Sequence, residues 1–139
     1  MFSPDTRWVA YTSNESGRYE VYVRPFLASG PSGTPSLGEG KWQVSKDGGS
    51  ATITPAWRAD GKELVFPAPN GSPIAVDVSA NGAAFQPGVP KQLFALPPNV
   101  GDWDMTADGK RFLVFMPSKQ ESANTPITVV LNWQAELKK

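Results

Sequence analysis

The sequence predicts an all-β chain of three four-stranded antiparallel units, one complete and two incomplete. Two observations carry this expectation. A short phrase is written three times, as FSPDTRWVAY from position 2, WRADGKELVF from 57 and TADGKRFLVF from 106. Fourteen prolines and thirteen glycines are scattered so that few windows are long enough for a helix, and apolar spacing of three and four is nowhere sustained. Only the terminal NWQAELKK, 132 to 139, could form a turn of helix.

Aligning Asp5, Asp60 and Asp108 brings Val9, Leu64 and Phe112 into one column, then Ala10, Val65 and Leu113, then Tyr11, Phe66 and Val114. These runs are short, nearly continuous in apolar residues and rich in β-branched and aromatic types, as in strands covered on both faces. Before each run stands Asp-Thr or Asp-Gly. An Asp side chain can accept a bond from the backbone just downstream and Gly supplies positive φ, so each pair predicts a tight antiparallel turn. Thr6 replaces the glycine in the first copy, which predicts a strained turn or one of another type.

A second run follows each first one, at 19–26, 72–78 and 125–133, with Val21, Ile74 and Ile127 placed in one column. A third run, at 41–45 and 91–96, matches Gln43 with Gln92, while 51–57 and 101–105 lead into the aspartate turns. Strands are therefore expected near 8–12, 19–26, 41–45, 51–57, 63–67, 73–79, 91–95, 101–106, 111–116 and 126–132. The units run over 2–45, lacking a first strand, over 51–96, complete, and over 101–133, lacking a last strand, with 134–139 as a tail. The aspartates are spaced by 55 and then 48 residues, and a period of about 50 with four strands per unit is that of a β-propeller blade. The fold expected is a partial propeller of about three blades, with Met1 as an internal methionine of a longer protein.

The segments FSPDTRWVAYTSNESGRYEVYVRPF, PAWRADGKELVF and MTADGKRFLVF resemble the TolB-type propeller repeat over positions 2 to 133. The end of the chain, from RFLVF to the final lysines, resembles the last repeat of large bacterial proteins in which such a propeller follows a serine/threonine kinase domain and a membrane segment. The resemblance implies a non-catalytic scaffold or sensor that binds protein, peptide or glycan, outside the cytoplasm of a membrane-anchored parent. The partners it implies are the remaining blades of that parent or another copy of the chain. Two alternatives are the propeller portion of a prolyl-oligopeptidase-like peptidase, and a self-assembling β module.

Composition closes several routes to chemistry. The chain has no cysteine and no histidine, so usual zinc sites, thiol nucleophiles and Ser-His or Cys-His dyads are excluded. Thirteen basic residues balance thirteen acidic ones, leaving no global field to attract nucleic acid or an anionic membrane. No apolar stretch approaches the roughly 20 residues needed to span a bilayer as a helix. No Gly-x-Ser-x-Gly elbow is present, and GPSGTPSLGEG at 30–40 reads as a flexible connection because no Lys-Ser or Lys-Thr follows its last glycine.

The remaining candidates have structural readings of their own. Asp102, Asp104 and Asp108 are numerous enough for a cation, but Asp108 belongs to a turn and the other two flank Trp103 on the opposite side of a strand. Asp60 and Glu63 could be offered as a glycosidase pair, yet Glu63 shares a column with Trp8 and Arg111 that reads as exposed and variable. Asn14 and Asn70 stand in glycosylation sequons that fit turns equally well. Of five tryptophans, Trp57 and Trp103 read as core; Trp8 and Trp42 are the better candidates for exposure, but packing is the favoured reading there too. No catalytic, cofactor or metal residue is expected, and no ligand-binding residue is identified. The outward faces of the end units, at Val9, Tyr11, Ile127 and Val129, and the edge TPITVVLNW are expected to make the isolated chain associate.

Overall fold

The computed structural model describes residues 1–82, 84–98, 100 and 102–116. The strand expected at 126–132, the edge with Ile127 and Val129, and the helical turn at 132–139 lie outside the described residues. Within them the chain is all-β, in several antiparallel sheets, none closed. The first sheet holds β1 (Trp8–Ser13), β2 (Glu20–Leu27), β3 (Ser36–Leu37) and β4 (Trp42–Gln43). The second holds β5 (Ala56–Trp57), β6 (Glu63–Pro67), β7 (Pro73–Asn81), β8 (Ala84–Pro87) and β9 (Lys91–Gln92). The third pairs β10 (Asp102–Met105) with β11 (Phe112–Phe115).

The repeated phrase folds the same way three times. The residue three before each aspartate pairs with the residue four after it, as Phe2 with Val9, Trp57 with Leu64 and Met105 with Phe112. Asp5, Asp60 and Asp108 each accept a bond from the backbone N–H two residues on, at 3.2, 3.0 and 3.0 Å. Thr6, Gly61 and Gly109 then take φ of 57°, 69° and 71°. Of the two outcomes expected for the first turn, strain is the one found: Thr6 adopts the glycine conformation. At the place of a leading strand the first sheet has only the Phe2–Val9 bridge.

The second repeat inside the units was not foreseen. β2 pairs with β4 near its start and with β3 near its end, and β7 does the same with β9 and β8. The outer strand of each of the first two units is thus in two pieces, broken at a glycine. Gly38 N–H donates to Pro25 O at 2.9 Å, and Gly88 N–H to Asp77 O at 2.7 Å. The register also corrects a column: Gln43 faces Tyr22 and Gln92 faces Ile74, so Tyr22, not Val21, is the counterpart of Ile74. The hairpin after β1 is longer than the one after β6, and gap placement by apolarity alone slipped by one. Strands at 41–45, 51–57 and 91–95 are shorter than expected. Pro55 offers no donor, and Leu96 N–H turns to Ser72 Oγ at 3.1 Å instead of a ladder partner.

The three sheets stack face to face, and the middle one is covered on both sides. Trp8, Ala10, Val21 and Val23 of the first sheet pack on Leu64, Phe66, Val76 and Val78 of the second. On its other face, Val65 and Ala75 pack on Trp103, with Met105, Phe112 and Val114 against them. The β7–β8 hairpin adds Phe85, buried with ring centroids 5.1 Å from Trp8, 5.7 Å from Trp42 and 6.4 Å from Trp57. This ring buries Trp8, only 3% exposed, in line with packing as the favoured reading there, and leaves Trp42 half-buried.

Candidate functional site

The aspartate turns lie side by side at one end of the stack. Ala59 N–H of the second turn donates to Ala107 O of the third at 2.7 Å. The corresponding residue of the first turn is Pro4, which has no N–H to offer the second. Between the first two turns a groove of about 620 Å³ opens. Trp8, Trp57 and Phe85 line it together with the polar residues Asp5, Lys62 and Asn81.

The turn carboxylates beside this groove are fixed by bonds to neighbouring side chains. Ser3 Oγ donates to Asp5 Oδ1 at 2.6 Å and accepts from Trp8 N–H at 3.0 Å, so its hydroxyl is committed to the turn. Arg7 Nε lies 2.7 Å from Asp5 Oδ2. Arg58 binds Asp60 through two nitrogens, each at 2.9 Å, and approaches Glu63 at 3.4 Å. Arg58, followed by the Lys62 N–H, holds the Asp60 carboxyl down to about 2. For Asp5, burial pushes upward, but Ser3 and Arg7 together leave it below the ordinary value. Both carboxylates are therefore ionised at neutral pH. A general acid needs the opposite shift.

The tryptophans differ in one respect. Trp57 Nε1 donates to Met1 O at 3.3 Å and Trp103 Nε1 to Gly71 O at 2.8 Å, tying each sheet to its neighbour. Trp8 Nε1 is buried and has no partner among the described residues. An unsatisfied buried donor costs roughly 1–3 kcal/mol, which an acceptor reaching it would recover.

The other candidates do not converge. Asp102 and Asp104 lie on the face opposite buried Trp103, and each accepts the N–H of the next residue, at 2.8 and 2.7 Å. Asp108 takes the Thr106 hydroxyl at 2.6 Å within its own turn. Asp60 and Glu63 share Arg58 instead of flanking a space. Asn70 Oδ1 accepts Ser72 N–H at 3.0 Å in the β6–β7 turn, and Ser72 is fully buried. The 30–40 segment contains a turn closed by Gly30 N–H on Thr34 O at 2.8 Å and then β3. A smaller space of about 200 Å³ lies at Lys46, Asp47, Pro69 and Gln92. Sequence reasoning missed Phe85 and the groove it helps line. Its signal was Gly82, which follows the last residue of β7, Asn81, and opens the hairpin connection to β8 at φ 59°.

Comparison with family models, curated proteins and solved structures finds no match for this chain.

Proposed function

We propose that the chain is a run of TolB-like propeller blades and that it serves a larger bacterial protein as a non-catalytic scaffold binding protein, peptide or glycan. The observation that supports this reading best is the threefold recurrence of one turn and one pairing, Phe2–Val9, Trp57–Leu64 and Met105–Phe112, in sheets that stack face to face. Such stacking of repeated antiparallel sheets is how propellers bury both sides of each blade. The binding surface is the groove between the first two turns. Its rim supplies charges of both signs, at Asp5, Arg7 and Lys62, over a floor formed by the packed side chains of Trp8, Trp57 and Phe85.

The test is to probe peptide and glycan arrays with the purified chain, then repeat with Lys62→Ala and Asn81→Ala. Binding that these rim substitutions weaken, with the circular dichroism unchanged, supports the groove as the site. Binding that they leave intact moves the site elsewhere. A chain that captures nothing on either array loses the scaffold reading.

A further inference from the structure

The stack has a direction. Side chains four and six residues after each turn aspartate face one way, and those five after face the other. In the second sheet Leu64 and Phe66 face the first sheet, while Val65 faces the third. Ala10 of the first sheet points toward the second, and so do Phe112 and Val114 of the third. Both junctions therefore join the same two kinds of face.

Among the described residues each end of the stack is left with the complementary kind open. On the first sheet this is the face of Val9 and Tyr11. Phe2, opposite Val9, is 51% exposed and touches Phe26 with ring centroids at 4.8 Å, and Leu37, opposite Phe26, is 45% exposed. Directly opposed residues share a face, so these form one apolar surface. On the third sheet the open face carries Leu113, 64% exposed, and Phe115, 56% exposed. Opposite them stand Asp104 and Asp102.

The groups opposite the apolar residues differ in charge between the two ends. Among the described residues Arg24, opposite Val9 on the first sheet, pairs with no carboxylate. Its Nη2 donates to Gly38 O at 2.8 Å and its buried Nε has no partner. Asp102 and Asp104 pair with no cation among the same residues. Lys41, over the Tyr22 ring, is already neutralised by Glu15 at 3.0 Å.

We propose that copies of this chain stack head to tail, the Leu113–Phe115 face of one on the Phe2–Val9 face of the next, with Asp102 and Asp104 meeting Arg24. The new junction repeats the kind of face contact made twice inside the chain, and it is heterologous, so growth ends only where a ring closes. This goes beyond the groove and does not depend on what the groove binds.

The test is sedimentation velocity of the 139-residue chain over a concentration series, alone and with two variants. Phe2→Glu places a charge on the first open face, and Leu113→Lys on the third. The parent chain is expected to grow with concentration and to dissociate with added salt. Each variant alone should associate at least about tenfold more weakly, as for loss of a central contact. An equimolar mixture should form a 1:1 complex that grows no further, because each variant retains the face the other has lost. A concentration-independent monomer overturns the proposal, whatever else covers these faces. So does a variant that still dimerises alone, since that face then pairs with itself, and so does a mixture that stays monomeric. If either variant loses its β-sheet spectrum, Arg24→Glu and Asp104→Lys replace them. Each should weaken association alone, and both in one chain should restore it; failure to restore overturns the proposal.

Discussion

Thr6 and Gly61 occupy the same position in two matching turns, with φ of 57° and 69°. In each, the N–H of that residue closes the turn at 2.9 Å, onto Ser3 O and Arg58 O. Local hydrogen bonding thus imposes a left-handed conformation that glycine accepts freely and a β-branched residue resists.

Thr6→Gly is expected to stabilise the chain. Relief of the left-handed conformation is worth about 1–2 kcal/mol, and the greater freedom of glycine in the unfolded chain returns about 0.5–1 kcal/mol. A net gain of up to about 1.5 kcal/mol, read as a higher urea midpoint, is the outcome. Gly61→Val should lower stability by about 1 kcal/mol or more. An unchanged midpoint in both would mean that the turn is not held as described.

The strands and turns legible in the sequence are those whose cause is local. Asp60-Gly61 fixes a turn within four residues, and the strand expected at 63–67 has the bounds found, Glu63–Pro67. What covers Trp8 was not legible, because it is Phe85, carried there by the β7–β8 hairpin from far along the chain. The groove arises only when two turns of different units are laid side by side, and no window of sequence contains it. The direction of stacking was half legible: alternation separated the faces, but their partners emerged only in three dimensions.

The split outer strand gives a steric prediction. A Cβ on Gly38 would stand 3.0 Å from Pro25 Cβ, and one on Gly88 would stand 3.1 Å from Asp77 O. The second neighbour is backbone and yields less easily. Gly88→Ala should therefore cost more than Gly38→Ala, about 1 kcal/mol or more. Urea unfolding of the two variants side by side checks the order, and equal stability would count against a shared break point.

Acid stability carries the signature of the turn carboxylates. Asp60 binds its proton near 3.8 when unperturbed but near about 2 in the folded chain, so folding favours the ionised form. That contribution is complete above 3.8 and is lost as pH falls through about 2. Asp108, held low by the Thr106 hydroxyl and the Lys110 N–H, acts in the same direction. Asp60→Asn should flatten this part of the acid-unfolding curve followed by circular dichroism. A variant whose curve keeps the parent slope below pH 3.8 would show that Arg58 does not hold this carboxylate.

Phe85 joins the first two sheets through one ring. It is 3% exposed and lies within 6.4 Å, centroid to centroid, of Trp8, Trp42 and Trp57, while among the described residues β8 itself pairs only with the end of β7. The hairpin is thus held by the ring as much as the ring is held by the hairpin. Phe85→Ala removes the shared contact and should cost about 3–5 kcal/mol, the range for a buried aromatic truncated in a core. Water entering beside three indoles should also shift tryptophan emission to the red, before global unfolding if the hairpin detaches alone. Phe85→Leu keeps most of the volume and should recover most of the stability without the ring contacts. If Phe85→Ala unfolds at the parent midpoint with unchanged emission, then the hairpin does not close this junction.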